Sequence, residues 1–148
     1  MRRFRFLRDP DPAALGDSVE AFLRWLDGPA CLFTSGAADS RCRAFVTLLH
    51  GNEPSGARAL WRWLRGGERP AVNLVCIVAS VTAALTEPLF THRMLPRARD
   101  LNRCFRPPFD DAQGRLAEEI LELLRLHRPE AVVDMHNTSG SGPSFAVC

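Results

Sequence analysis

Two histidines and a glutamate carry the chemistry that this sequence could do. His50 and Glu53 stand three residues apart in His50-Gly51-Asn52-Glu53-Pro54-Ser55-Gly56, between the apolar run Phe45-Val46-Thr47-Leu48-Leu49 and a helical pattern. A histidine and a carboxylate from one tight turn commonly hold Zn²⁺, with a third ligand arriving from elsewhere. His136, in Asp134-Met135-His136-Asn137-Thr138, is that third candidate, and it too follows an apolar run, Ala131-Val132-Val133. If the two runs are parallel strands of one sheet, both histidines emerge at the same carboxyl edge, where open α/β sheets place their ligands. Two His and one Glu leave a fourth position for water, the composition of a catalytic rather than a closed structural zinc site. By itself, H-x-x-E also describes a surface turn with a solvated histidine and a helix-starting glutamate. Gly51 and Gly56 flank Glu53 and permit close backbone approach or unusual dihedrals, and Pro54 suits the first helical position.

The elements that must deliver these residues follow from the patterning. Residues 2–8 alternate arginine with Phe4 and Phe6, a weak strand or a loose arm. Asp11-Pro12 predicts a helix start, with Asp as N-cap and Pro at N1. Leu15, Val19, Phe22, Leu23 and Leu26 share one face of that helix, which Gly28-Pro29 ends. Cys31–Thr34 reads as a short strand, 35–40 as a turn, and Ala44–Leu49 as the strand delivering His50. A second helix from Pro54 has Ala57, Leu60, Trp61 and Leu64 on its apolar face, and Gly66-Gly67 closes it. Val72–Val78 is apolar almost throughout and reads as a central strand buried on both faces. Residues 79–109 carry no long period, and a loop of that length is usually functional or disordered. A third helix, Asp111–His127, buries Leu116, Ile120, Leu123 and Leu124 and solvates Glu118, Glu119 and Glu122. His127 in its last turn would be a favourable charge at the helix C-terminus. Ala131–Met135 is the strand delivering His136, followed by a flexible loop, 137–143, and a β-like tail, Ser144–Cys148. Alternating helices and strands make the expected fold class α/β: a partly parallel, mixed sheet flanked by helices, in a single domain over 1–148.

Composition narrows the function classes. The 148 residues leave room for one domain with a real core. A formal charge of +2 gives no electrostatic case for nucleic acid. All nineteen basic residues are arginine. The five cysteines are odd in number, widely spaced and without C-x-x-C, which argues against a disulfide framework or a cysteine zinc site and for a reducing cytoplasm. No apolar stretch reaches membrane-spanning length, and the basic N-terminus lacks the apolar core of a secretory signal.

Three separated motifs agree with one another. His50-Gly51-Asn52-Glu53-Pro54-Ser55-Gly56, Arg99-Asp100-Leu101-Asn102-Arg103-Cys104-Phe105 and Asp134-Met135-His136-Asn137-Thr138 resemble the succinylglutamate desuccinylase/aspartoacylase family, a branch of the zinc carboxypeptidase-like fold. The motifs span residues 50–138, and their order and spacing both fit. The resemblance implies one Zn²⁺ per chain on His50, Glu53 and His136. It also implies that Asn102 and Arg103 grip a substrate carboxylate, and that an arginine polarises the scissile carbonyl, with Arg93 and Arg97 both candidates. The implied activity is zinc-dependent hydrolysis of the amide bond of an N-acyl amino acid, of the N-succinylglutamate or N-acetylaspartate kind.

The chemistry of the residues agrees. Bound Zn²⁺ lowers the pKa of its water to about 7 and can polarise an amide carbonyl as a Lewis acid. Arginine offers a planar fork that matches a carboxylate. A loop holding Arg93, Arg97, Arg99, Arg103 and Arg106 suits a small anionic substrate, or else is a solvated basic loop paired with nearby acids. Asp134 shares a strand face with His136; it either orients that histidine from behind or pairs with an arginine.

The family's general base is a glutamate well downstream of the last zinc ligand. Here the chain ends twelve residues after His136, with no Glu or Asp among them. The polypeptide is therefore expected to be the N-terminal portion of a longer enzyme, with its catalytic base beyond Cys148. Glu87 is the internal candidate for that role. An unpaired sheet edge near Phe145-Ala146-Val147 would invite self-association. A carboxypeptidase-type metallopeptidase and a truncated, non-catalytic zinc-binding fragment are the competing readings.

Overall fold

A computed structural model describes residues 4–138 and 142–148. Five strands form one sheet: β1 (Arg5–Arg8), β2 (Ala30–Thr34), β3 (Ala38–Thr47), β4 (Val72–Val78) and β5 (Val132–Met135), in the spatial order β1-β2-β4-β3-β5. β1 runs parallel to β2, β2 antiparallel to β4, and β4, β3 and β5 run parallel to one another. The sheet is thus mixed and partly parallel, as the alternation of elements implied. The helices are α1 (Val19–Leu26), α2 (Ser55–Gly66), the single turn α3 (Val81–Ala84) and α4 (Ala112–His127).

β4 shows why the sheet needs two covering layers. Cys76 and Val78 pack with Phe22, Leu26, Ala57 and Leu60 of α1 and α2, whereas Val75 and Ile77 pack with Leu116, Ile120 and Leu123 of α4. Successive side chains of a strand point to opposite faces, so a run that is apolar at every position is stable only between two helical layers. Val75, Cys76, Ile77 and Val78 are all fully buried.

Four sequence expectations change. The helix expected from Pro12 to Leu26 is broken in two. Pro12–Leu15 is a 3-10 turn capped by Asp11, Gly16 takes φ 74°, and Ser18 re-caps α1 by accepting from the Ala21 N–H. A Cβ on Gly16 would come within 2.6 Å of the Ala21 Cβ, so the break needs glycine both for its dihedral and for its lack of a side chain. β3 begins at Ala38, inside the expected turn, and a register irregularity between Ala38 and Cys42 absorbs the extra residues. The tail Ser144–Cys148 forms no strand, and Phe145 and Val147 are exposed. A short apolar stretch without a neighbour to pair with or a core to pack on has nothing to hold it extended. Among the described residues the unpaired edge on that side of the sheet is β5, whose Val132 and Val133 are about half exposed. His127 also differs: its ring lies 5.6 Å from that of Phe33, and burial pushes its pKa below the ordinary value, so it adds little charge to the end of α4.

All five cysteines are free thiols. Burial pushes Cys31 up to about 11 and Cys76 up to about 12, which keeps both as unreactive thiols at neutral pH. A disulfide reagent should therefore label the exposed Cys148 first, with Cys31, Cys76 and Cys104 reacting only on unfolding. Equal labelling rates for all five in the native chain would contradict this packing. Among the described residues no helix is long and apolar enough to cross a membrane.

Candidate metal centre

β3 ends at Thr47, and the chain must then turn to present His50. Leu48 takes the left-handed conformation, φ 59°, which a residue with a Cβ adopts at a cost of about 1–2 kcal/mol. The swivel sends Leu48 into the core under α1 and α2 and Leu49 into the core under α4. Ser80 fixes the turn, its N–H donating to the Leu48 carbonyl and its hydroxyl to the Leu49 carbonyl. His50 follows with 2% of its surface exposed. β5 lies parallel beside β3, with Thr47 opposite Met135, so His136 emerges next to His50 at the carboxyl edge. Both flanking glycines mark close approaches. A Cβ on Gly51 would lie 2.6 Å from the His92 carbonyl oxygen, and one on Gly56 would lie 2.1 Å from Thr47 Oγ1.

The donor atoms of His50, Glu53 and His136 all lie within 4.8 Å of one another. His50 Nδ1 is 2.9 Å from Glu53 Oε1, and His136 Nδ1 is 2.8 Å from Glu53 Oε2. The outer nitrogens are equally committed: His50 Nε2 lies 2.8 Å from Asp100 Oδ1, and His136 Nε2 lies 2.8 Å from Asp134 Oδ2. An ionised carboxylate can only accept, so a neutral ring that donates from Nε2 to its backing carboxylate presents its Nδ1 lone pair to Glu53, and only a second proton or a cation makes that contact favourable. Lone pairs of nitrogen and carboxylate oxygen repel at such distances unless positive charge lies between them. A metal ion would satisfy all three donors together, and a histidine backed by a carboxylate is the usual arrangement around a metal. The field points the same way. Burial lowers the pKa of His136, but the carboxylates of Asp134 and then Glu53 outweigh it and hold the value above that of an ordinary histidine. The residues present therefore fit a metal.

The cluster is held from three further sides. The Asn137 N–H donates to Glu53 Oε2 at 3.2 Å, while its side chain exchanges hydrogen bonds with the hydroxyl and N–H of Ser55 at the start of α2. The Gly51 N–H donates to the Arg93 carbonyl at 3.0 Å, fixing the long loop against the turn. Arg93 then reaches in, with Nη1 3.4 Å from Glu53 Oε1 and Nη2 3.0 Å from Asp100 Oδ2. Arg97, the other arginine considered for the carbonyl, is exposed and forms no side-chain hydrogen bond or ion pair among the described residues; it sits at φ 66°. Arg99 is turned away, paired with Asp111 at the start of α4. Asn102 and Arg103 belong to the 3-10 turn Leu101–Arg103, and Arg103 is exposed with its guanidinium unpaired among the described residues.

Asp100 and Asn137 are parts of the site that residue types alone did not assign. Asp100 looks like an ordinary turn cap, and it does accept from the Asn102 N–H. Its bond to His50 spans fifty positions, and no local pattern encodes that. Burial would raise its pKa, but hydrogen bonds from His50 and Arg93 hold it down at about 2. Glu87 is exposed on the loop, where its carbonyl accepts from His92.

Among curated protein sequences none matches this chain. The crystal structure of succinylglutamate desuccinylase from Vibrio cholerae resembles it in fold, with a TM-score of 0.51 and 19% sequence identity over 68% of this chain. The likeness covers 30% of that protein, so the chain spans less than a third of its length. Both halves of the metal cluster fall within residues 45–146, the stretch that matches the succinylglutamate desuccinylase/aspartoacylase catalytic domain. With more than half of its residues in that match, the chain belongs to the succinylglutamate desuccinylase/aspartoacylase family.

Proposed function

We propose that this chain carries the metal and substrate-carboxylate half of a zinc-dependent hydrolase that cleaves the amide bond of an N-acyl amino acid, of the N-succinylglutamate or N-acetylaspartate type. The observation that supports it is the convergence of His50 Nδ1, Glu53 and His136 Nδ1 on one point, each histidine backed by its own carboxylate, beside a turn that exposes Arg103. Zinc held there would acidify a water to a pKa of about 7 and polarise an acyl carbonyl.

The chain's own residues do the rest. Arg93, in contact with both Glu53 and Asp100, places positive charge where an acyl oxygen would gain negative charge. Asn102 and Arg103 hold the substrate carboxylate, for which the free guanidinium fork is suited. In the hydrolysis, water adds to the acyl carbon, a C–O bond forms, the C–N bond breaks, and the proton released by water passes to the amine nitrogen. That transfer needs an uncommitted acid–base group, usually worth roughly 10²–10⁴-fold in rate. The described carboxylates touching the cluster are all engaged: Glu53 with both histidines, Asp100 with His50, and Asp134 with His136.

The 148-residue protein should therefore bind about one Zn²⁺ and hydrolyse N-succinylglutamate and N-acetylaspartate slowly if at all. Metal analysis and an assay of the zinc-loaded protein on both compounds provide the check. Failure to retain zinc would overturn the reading of the centre. Rapid turnover, abolished by Glu87→Gln, would make Glu87 the missing base.

A further inference from the structure

Asp100 stands where three parts of the site meet. Its Oδ1 lies 2.8 Å from His50 Nε2 and accepts from the Asn102 N–H at 2.9 Å. Its Oδ2 accepts from Arg93 Nη2 at 3.0 Å and from Arg93 Nε at 3.3 Å. One carboxylate thus backs a metal ligand, caps the turn that presents Asn102 and Arg103, and orients Arg93. The side chain is four-fifths buried, with 19% of its surface exposed, so water competes little for these bonds.

We infer that Asp100 is a positioning residue that couples occupancy of the metal centre to the binding of a carboxylate on the arginine turn. The inference rests on the proposed function for both ligands. A cation held by His50 Nδ1 would make the Nε2–H a stronger donor, which would tighten the bond to Asp100 and with it the cap of the turn. Glu53 neutralised by the same cation would lose the pull of its Oε1 on Arg93 Nη1, the longest of these contacts at 3.4 Å. Arg93 then stays anchored to Asp100 and has Nη1 free for an anion. A turn and a guanidinium already fixed lose less freedom when the ligand arrives.

Charge alone would also let a bound cation favour an anion, but the two causes differ in what Asp100 does. If only charge mattered, Asp100→Asn would strengthen anion binding by removing a negative group. If Asp100 transmits position, the zinc-dependent gain disappears.

The experiment measures zinc affinity by chelator competition and succinate affinity by calorimetry on the 148-residue chain. Succinate is titrated into metal-free protein and at saturating zinc, in the unaltered chain, Asp100→Asn and Asp100→Glu. In the unaltered chain zinc should raise succinate affinity by about 5-fold or more, the lower end of ordinary site-to-site coupling. In both variants zinc affinity should fall roughly 10–100-fold, and the gain at saturating zinc should shrink to about 2-fold or less. Asp100→Glu keeps the charge and moves it by one methylene, so it decides the matter if Asp100→Asn does not fold. Absence of a zinc-dependent gain in the unaltered chain, or an undiminished gain in the variants, overturns the coupling and leaves the metal centre standing. No zinc binding by the unaltered chain overturns the centre itself.

Discussion

His136→Ala should strip the metal from an otherwise intact fold, whereas His50→Ala should strip the metal and weaken the fold as well. Both remove one of the three proposed ligands, so both should lower zinc affinity by more than about 100-fold, beyond what losing an outer partner of a ligand costs. They differ in burial. The His136 side chain is 28% exposed, at the end of an edge strand, and water can reach the carboxylates it leaves behind. His50 is 2% exposed and sits between Glu53 and Asp100. Its removal leaves a buried cavity and takes from Asp100 Oδ1 one of its two donors, a loss of about 1–3 kcal/mol. Metal analysis gives the first effect and urea unfolding of the metal-free proteins gives the second. Equal zinc content in the unaltered chain and in both variants would dissolve the centre.

Phe22→Ala should be among the most damaging changes in the core, destabilising the chain by about 3–5 kcal/mol. Phe22 is fully buried, packs with Leu15, Leu23 and Leu26, and stacks on Trp25 with ring centroids 6.2 Å apart. Domains of this kind are typically stable by about 5–15 kcal/mol, so the variant should sit near its unfolding threshold at 25 °C. Phe145→Ala is the matched control: that ring is 74% exposed, and its loss should change stability by less than about 0.5 kcal/mol. Urea titrations of the two variants side by side would show the contrast in midpoint. Similar midpoints would mean that the packing beneath α1 and α2 is loose.

The features legible in the sequence were those set by short-range rules. Val72–Val78 declared itself a central strand because every residue but Asn73 is apolar, and α4 declared its buried stripe through Leu116, Ile120 and Leu123. His50, Glu53 and His136 were legible because each histidine follows a strand-like run and Glu53 stands three residues after the first, in recognisable motifs. Less legible were the places where a single residue overrides its neighbours. Gly16 divides an otherwise regular helical face, and Ser18 restarts it. The tail around Phe145 has strand-like residues but no strand beside it. The partners standing behind that cluster were not legible. Asp100 reads as a turn cap until the packing brings it to His50, and Asn137 reads as a loop residue until β5 brings it to Ser55.

The position of β5 also sets an order of events in time. His50 and Glu53 lie within one turn, at the end of a strand paired with β4 in the middle of the sheet. His136 comes 83 residues after Glu53 and is carried by a four-residue strand that, among the described residues, pairs with β3 alone. Contacts of long sequence separation form late in folding, and edge segments open more readily than the core. Half of the centre is therefore assembled as soon as the central strands pair, and the other half arrives when the edge docks. A captured ion would then leave at the rate at which β5 frays, long before the rest of the chain lets go.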